Sequence, residues 1–245
     1  RMYHVSTDQG EYAVKLLNPD IMKRPEALQN MINSETVSNA LKDVVPLVAA
    51  KCFDGKCIIE LDGSFYVIFD WIEGKSNFVP DILEHHCAQV GRVLGKIHTA
   101  NIKVDSIEKN HGIRGEYDWK MLFEKAKQCN AECCSVLQEN LVDIMRWDNH
   151  VVSALSEVSQ DQVISHRDLD PKNIMWNNDE LYIIDWEAAG YVNPFQELIE
   201  VLNYWISDET GKYNKAKFDA LMQAYTENMD IGNVNWDAVM ACSFD

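Results

Sequence analysis

The sequence predicts an α+β protein made of a small sheet-rich part and a larger helical part. In the first 74 residues, strand-like runs are separated by turn signals, whereas most apolar residues from 75 to 245 recur at helical spacing. A chain of 245 residues is long enough to bury a core as one large domain or two small ones. We therefore expect two lobes that meet near Gly74.

The first part is predicted to contain strands on either side of a helix. Strand-like runs cover residues 2–5 and 11–17, and a helix is predicted over residues 25–42, with a proline near its start. Asp-Gly dipeptides, which are strong hairpin signals, separate three further strand-like runs. These runs are residues 47–53, 56–61 and 64–71.

The second part is predicted to be mainly helical. Three short strand-like pieces interrupt it, at residues 162–165, 174–176 and 181–185. Gly91 and Gly95, four residues apart, predict that the first helix packs closely against a neighbour. The helices are predicted over residues 81–98, 135–158, 194–206, 215–227 and 235–242.

The charge of the chain restricts its partners. With 22 basic and 39 acidic residues the net charge is −17, which disfavours nucleic acid and anionic membranes as partners. An acidic cleft would attract a cationic small molecule, although the charge is also explained by solubility alone.

The cysteines and the hydropathy indicate a cytoplasmic protein. The seven cysteines include no CxxC pair, and Cys52 and Cys57 flank a predicted turn, so we expect reduced thiols. No apolar run is long enough to span a membrane, and no signal peptide is visible.

One segment concentrates the residues that suit phosphoryl transfer. Residues 163–187 read VISHRDLDPKNIMWNNDELYIIDWE, in which Asp168 and Asn173 are five apart and Asp185 ends an apolar run. Phosphoryl transfer requires a carboxylate that accepts the proton of the attacking hydroxyl, together with hard oxygen ligands for magnesium. We predict that Asp168 is the base and that Asn173 and Asp185 bind Mg²⁺. A solvated, acid-rich turn is the less favoured interpretation.

Lys15 is the second candidate. Strand alternation places it on the same face as Ala13 and Leu17, so its ammonium group needs an anionic partner. In a kinase that partner is a nucleotide phosphate, and a helical carboxylate steadies the lysine. Glu35 is the predicted carboxylate and Glu26 is the alternative. An edge-strand lysine that reaches water remains a second interpretation.

The segments YAVK, YVIFDWIEGK, VGRVLGKIH, HRDLDPKN and IIDWE together resemble the aminoglycoside phosphotransferase and choline kinase-like superfamily. The resemblance extends from Tyr3 to about Trp205. It implies a protein-kinase-like fold in which residues 1–74 form the nucleotide-binding lobe. Residues 75–245 would then form a helical lobe that carries the catalytic loop and the acceptor site.

The resemblance also implies roles for individual residues. Lys15 would contact the phosphates of ATP or GTP, Glu35 would position Lys15, and His166 would support the catalytic loop. The purine would lie against the segment Phe69, Asp70, Trp71 and Ile72. The family's first strand and phosphate-covering loop would precede Tyr3, so we expect further residues upstream of Arg1.

A protein kinase is the less favoured alternative. Trp186 and Glu187 follow Asp185 where a protein kinase has Phe-Gly, and no activation segment ending in APE follows.

The acceptor is predicted to be a small amine-bearing alcohol such as an aminoglycoside. Asp170 and Glu187 are the candidate substrate contacts, and further acids follow in sequence. These are Glu197, Glu200, Asp208 and Glu209, which would line an acidic pocket for the amine or lie on a helix surface. A metabolic kinase for choline, an amino alcohol or a sugar is the alternative, followed by a non-catalytic nucleotide-binding relative.

Overall fold

A computed structural model describes residues 1–109 and 114–243 of the chain. It confirms the predicted α+β architecture, with an antiparallel sheet in the N-terminal part and helices in the C-terminal part. The strand order is β1-β2-β4-β3. The strands are β1 (Met2–Thr7), β2 (Gly10–Leu16), β3 (Ile58–Leu61) and β4 (Ser64–Asp70). Lys15 pairs with Val67 on an interior strand, so it is not an edge-strand lysine.

Two helices lie between the second and third strands. Helix α2 (Ala27–Leu41) is the helix predicted over residues 25–42, and it packs Val37 and Leu41 into the main hydrophobic core. The short helix α1 (Pro19–Met22) was not predicted, because four residues are too few to show a helical period.

The predicted strand over residues 47–53 is wrong. Within the described chain this segment makes isolated bridges, from Leu47 to Ile183 and from Ala50 to Phe69. It crosses from the helical part to the sheet and meets a different partner at each end, so no continuous ladder forms.

The prediction of reduced thiols is wrong for one pair of cysteines. Cys52 and Cys57 form a disulfide, with their Cα atoms 4.1 Å apart. The backbones of Phe53 and Lys56 exchange two hydrogen bonds, and this tight turn brings the two thiols together. Four other cysteines are free thiols: Cys87, Cys129, Cys133 and Cys134.

The C-terminal part contains the predicted helices and one more, α4, that the sequence analysis did not delimit. No helix among the described residues is long and apolar enough to cross a membrane. The helices are α3 (Glu84–Ala100), α4 (Trp119–Gln128), α5 (Cys134–Val158), α6 (Pro194–Trp205), α7 (Lys215–Thr226) and α8 (Trp236–Cys242).

Two small antiparallel ladders frame the HRDL segment. Strand β5 (Val163–Ser165) pairs with β8 (Gly190–Val192), and β6 (Ile174–Asn177) forms a hairpin with β7 (Glu180–Ile183). Strand β8 was not predicted, because three residues after a polar loop carry no clear alternation.

Helices α3 and α7 pack closely, as the two glycines predict. A Cβ atom at Gly91 would overlap the backbone of Leu221, and one at Gly95 would lie 2.8 Å from the carbonyl oxygen of Tyr225. The close approach brings His98 at the end of α3 beside Tyr225 of α7, with 3.0 Å between His98 Nδ1 and the Tyr225 hydroxyl.

Candidate active site

The register of the β6–β7 hairpin explains the spacing of two predicted metal ligands. Ile174 pairs with Ile183, and Ile184 N–H donates to the carbonyl oxygen of Asn173 at 2.9 Å. Asn173 is thus held opposite Ile184, and Asp185 follows one residue later. Asn173 and Asp185, which are twelve residues apart in the sequence, therefore lie close together at one end of the hairpin.

Asp168 lies at the centre of the loop and is held by Asn173. Asn173 Nδ2 donates to the Asp168 carbonyl oxygen at 2.7 Å and to Asp168 Oδ2 at 2.9 Å. Lys172 Nζ lies 3.3 Å from the same carboxylate, and this hydrogen bond raises the pKa of Lys172. The Asp168 side chain is 32% exposed, so the carboxylate is oriented and still open to a substrate.

His166 connects the two halves of the site. Its Nδ1 accepts a hydrogen bond from Asp168 N–H at 3.3 Å, so Nε2 carries the proton and donates to the Ile184 carbonyl oxygen at 3.0 Å. Burial lowers the pKa of His166, which keeps the ring neutral at physiological pH. The ring therefore ties the Asp168 loop to the strand that leads to Asp185, as expected of a structural residue.

A buried polar network that the sequence analysis missed holds Arg167. Glu197 on α6 accepts the Arg167 backbone N–H at 2.7 Å and lies 2.8 Å from His98 Nε2. Burial by itself would raise the pKa of Glu197. The hydrogen bond to His98 and the charge of His98 outweigh this effect, so the pKa of Glu197 is lowered overall. Arg167 has a φ of +64°, a conformation that costs energy for a residue other than glycine. The Glu197 carboxylate stabilises that backbone conformation directly before Asp168.

Lys15 reaches across the cleft to the segment that follows β7. Its Nζ lies 2.9 Å from Asp185 Oδ1 and also forms an ion pair with Glu187. Burial would lower the pKa of Lys15, but hydrogen bonds to Glu187 and Asp185 and their charges raise it overall. Lys15 is therefore a cation whose charge is matched by two carboxylates.

Glu35 is close to Lys15 without forming an ion pair with it in the described structure. Ser38 Oγ donates to Glu35 Oε2 at 3.3 Å, and the backbone N–H of Ala50 also hydrogen-bonds the carboxyl. Burial raises the pKa of Glu35 to about 7, although the charge of Lys15 opposes this rise. Glu187 thus occupies the position beside Lys15 that was predicted for Glu35.

The predicted nucleotide residues line one cavity of about 310 Å³ between the sheet and the helical part. Such a volume is within the range of small-molecule sites. Asp70 directs its carboxylate to Lys51 Nζ at 2.8 Å, and the Trp71 ring stacks on His4 with 3.8 Å between centroids. The lining includes Lys15, Glu35, Phe69, Asp70, Trp71, Ile72 and Asp185.

The other candidate acids occupy different environments. Asp170 Oδ1 accepts the Lys172 backbone N–H at 2.8 Å and caps the short helical turn Pro171–Asn173. Glu197 is only 1% exposed, so the expectation that it lines an acidic pocket is wrong. Asp208 accepts hydrogen bonds within its own turn. Glu200 on α6 is half-buried and accepts the Tyr204 hydroxyl at 2.9 Å.

The free oxygen atoms of the site suit magnesium. Asn173 uses its Nδ2 for Asp168, so Oδ1 remains available, and Asp185 Oδ2 has no hydrogen bond within the described residues. No cluster of three or more His, Cys, Asp or Glu residues that would suit a metal occurs in the described chain. Magnesium commonly takes one or two protein oxygens and completes its shell with phosphates and water, so this donor set fits.

The sequence model of the phosphotransferase enzyme family (APH) matches residues 1–230. The chain belongs to this family. It is accordingly a small-molecule phosphotransferase, and the resemblance inferred from its motifs is confirmed.

Two curated relatives of this family member are homoserine kinases. The one from Polaromonas naphthalenivorans is 26% identical over 226 residues, which cover 91% of this chain and 68% of the relative. The one from Nitrobacter winogradskyi is 28% identical over 174 residues, which cover 70% of this chain and 51% of the relative. The chain thus matches about half to two thirds of the length of these relatives.

A solved structure shares the fold. Spectinomycin phosphotransferase in complex with ADP and spectinomycin superposes with a TM-score of 0.62 and 17% sequence identity. The match covers 98% of this chain and 74% of that chain. It confirms the two-part, kinase-like architecture.

Proposed function

We propose that this phosphotransferase transfers the γ-phosphate of ATP to a hydroxyl group of a small, amine-bearing alcohol. The observation that carries the proposal is the Asp168–Asn173 pair, held next to Asp185 by the β6–β7 hairpin and opposite Lys15. A base, two oxygen ligands and a phosphate-binding cation are the parts that phosphoryl transfer requires.

In this proposal Asp168 orients the acceptor hydroxyl and takes its proton as the oxygen attacks the γ-phosphorus. Asn173 Nδ2 holds one carboxylate oxygen, so the other oxygen is the one presented to the acceptor. Lys172 Nζ donates to this second oxygen, Oδ1, at 3.4 Å, so its positive charge lies beside the carboxylate that faces the acceptor.

On the donor side, Lys15 exchanges its carboxylate partners for the phosphates. The ammonium group now pairs with Asp185 and Glu187, and release of Asp185 frees that side chain for metal binding. Asn173 Oδ1 and Asp185 would hold Mg²⁺, which neutralises charge on the phosphates when bound.

ATP is the proposed donor because the nucleotide cavity has the expected lining and because the spectinomycin phosphotransferase of the same fold was solved with ADP. The purine would lie between the sheet and the helical part, near the backbone of Trp71. That backbone is fixed, since Trp71 N–H donates to the Glu11 carbonyl oxygen at 3.0 Å.

The acceptor's amine would be recognised beside Asp168 by Glu200. Helix α6 is fastened to the catalytic loop twice, by Glu197 to Arg167 N–H and by Trp205 Nε1 to the Leu169 carbonyl oxygen at 2.8 Å. Glu200 and Tyr204 lie one turn apart on α6, and burial raises the pKa of Glu200. A half-buried carboxylate whose hydrogen-bond partner among the described residues is a neutral tyrosine hydroxyl suits an ammonium group.

Among amine-bearing alcohols, homoserine is the first acceptor to test, since the matching curated relatives are homoserine kinases. An aminoglycoside is the second, and the similarity in fold to spectinomycin phosphotransferase supports it. Both molecules carry a hydroxyl group and an amine.

The decisive measurement is acceptor-dependent release of ADP, with the phosphate ester identified by ³¹P NMR. The panel should contain homoserine, spectinomycin, an aminoglycoside, choline and a neutral diol, each with ATP and Mg²⁺. We expect an amine-bearing alcohol to be the best acceptor and Asp168→Ala to abolish its turnover. Bound ATP with no acceptor-dependent ADP release from the whole panel would reject the proposal.

A further inference from the structure

The Arg167 guanidinium group is not ion-paired with any carboxylate among the described residues, although its charge acts on Glu200. Arg92, Arg114 and Arg146 each form an ion pair with a carboxylate, whereas the Arg167 side chain has no hydrogen bond or ion pair among the described residues. Arg24 likewise has no ion pair among the described residues, but Arg167 differs from it in lining a cavity.

The fold places this guanidinium group beside strand β8. The Arg167 backbone is held in its left-handed conformation by Glu197, and the side chain extends over Gly190 on strand β8. A Cβ atom at Gly190 would lie 3.0 Å from Arg167 Nη1, so the absence of a side chain there makes room for the guanidinium.

The guanidinium lines a cavity of about 510 Å³ between helix α2 and residues 187–191. Ser106 Oγ donates to Asn33 Oδ1 at 2.7 Å, which fastens one wall to α2. The Asn30 side-chain amide lines the same wall and has no hydrogen bond within the described chain. Neither Asp168 nor Asp185 lines this cavity, so it is distinct from the reacting groups.

The charges of the cavity define the ligand that fits it. Arg167 contributes a cation, and Glu108 and Glu187 contribute carboxylates. Glu187 is already paired with Lys15, whereas Glu108 has no partner among the described residues. Among the described lining residues this leaves the Arg167 cation and the Glu108 carboxylate, and a molecule with one carboxylate and one ammonium group would complement them.

We propose that this cavity binds a free amino acid, with its carboxylate on the Arg167 guanidinium and its ammonium group on Glu108. Arginine binds carboxylates with two parallel hydrogen bonds, which gives both strength and orientation. The Asn30 amide is available as a further donor to the carboxylate. The ligand would bridge α2, which carries Glu35, and the segment that carries Glu187.

The test uses the arginine Nε–Hε signals of the full chain, labelled with ¹⁵N, and glycine as the probe. Glycine has no hydroxyl and cannot be phosphorylated as an alcohol, so the result is independent of the proposed function. The Arg167 signal is identified by its loss in Arg167→Gln. We expect glycine to shift it saturably at constant ionic strength, acetate to bind more weakly, and methylammonium not to shift it.

Variants locate the effect in this cavity. In calorimetric titrations, Arg167→Gln should weaken glycine binding by about tenfold or more, and Gly190→Ala should weaken it by crowding the guanidinium. Glu108→Gln should remove the preference for glycine over acetate. Arg24→Gln, a change at an exposed arginine outside the cavity, is the matched control and should bind glycine normally.

Three results would overturn the proposal. The first is an Arg167 signal that glycine does not move, and the second is equal loss of binding in Arg24→Gln and Arg167→Gln. The third is an Arg167 shift with inorganic phosphate but none with acetate, which would assign the site to a different anion.

Discussion

Truncation of Glu197 should destabilise the fold and impair catalysis, although Glu197 touches no substrate. The carboxylate receives the Arg167 N–H at 2.7 Å and lies 2.8 Å from His98 Nε2, and both Glu197 and His98 are almost completely buried. Glu197→Ala leaves those two donors without a partner in a dry environment. Glu197→Gln keeps the shape and one carbonyl oxygen, which can still accept the Arg167 N–H.

The two substitutions should differ clearly in magnitude. Removing one member of a buried, hydrogen-bonded charge pair costs about 3–5 kcal/mol, so Glu197→Ala should lose about that much free energy of unfolding. With Gln, the ring of His98 can change tautomer, because Nε2 can accept from the new amide while Nδ1 donates to Tyr225. We expect Glu197→Gln to lose about 1.5–3 kcal/mol, the value of one hydrogen bond to a charged group.

Urea unfolding followed by circular dichroism measures the stability, and kcat and KM for the best acceptor measure the effect on the loop. Because Glu197 orients the backbone before Asp168, kcat of Glu197→Gln should fall while KM for ATP changes little. A decrease in the free energy of unfolding below about 1 kcal/mol in Glu197→Ala would refute the reasoning, since removing a buried carboxylate that accepts two hydrogen bonds should cost more than that.

Four further outcomes are expected. Asp168→Ala should lower kcat by about 10² to 10⁴ with ATP affinity nearly unchanged in calorimetry, and retention of a tenth of wild-type turnover would exclude it as the base. Asp185→Asn should weaken Mg²⁺-dependent ATP binding more than Asp168→Asn, since only Asp185 is assigned to the metal. Burial raises the pKa of Glu35 from 4.5 to about 7, so the wild-type fold should lose stability as pH rises between those values. In thermal unfolding, Glu35→Gln should therefore gain up to about 3 kcal/mol relative to wild type at pH 8 and nothing at pH 4.5, and an equal difference at both pH values would contradict this. For an amine-bearing acceptor kcat/KM should fall as KCl rises, whereas a neutral diol should show no such fall.

Local sequence signals predicted most of the elements. The Asp-Gly dipeptides mark real turns, with Asp54 and Gly55 at φ values of +50° and +78°. The apolar spacing of α3 was sufficient to predict a helix, and its two glycines were sufficient to predict close packing against a neighbour, which is α7. The strand predicted over residues 47–53 was wrong because this segment contacts two different neighbours, one at Ile183 and one at Phe69. The apolar pattern of a sequence does not distinguish a continuous strand pairing from two single contacts.

Site residues could be predicted where they lie close together in the sequence. They could not be predicted where residues far apart in the sequence meet through the packing of helices. Asp168 and Asn173 lie within one loop, and a two-residue hairpin connection brings Asp185 back to Asn173. His98 and Glu197 are 99 residues apart and meet only because α3 and α6 pack on the same loop. A buried histidine on an apolar helix face was the available signal, and it does not identify its partner.

The choice between Glu35 and Glu187 beside Lys15 shows how burial decides a charge pair. Both carboxylates line the nucleotide cavity, but Glu35 is 8% exposed and its pKa is raised to about 7, whereas the Glu187 side chain is 43% exposed. Ionising Glu35 costs desolvation that the more exposed Glu187 largely avoids, so Lys15 pairs with Glu187. Bound phosphates would compete with Glu187 for Lys15. Release of Glu187 would then leave its charge free for an acceptor's ammonium group, so that nucleotide binding would favour a cationic acceptor.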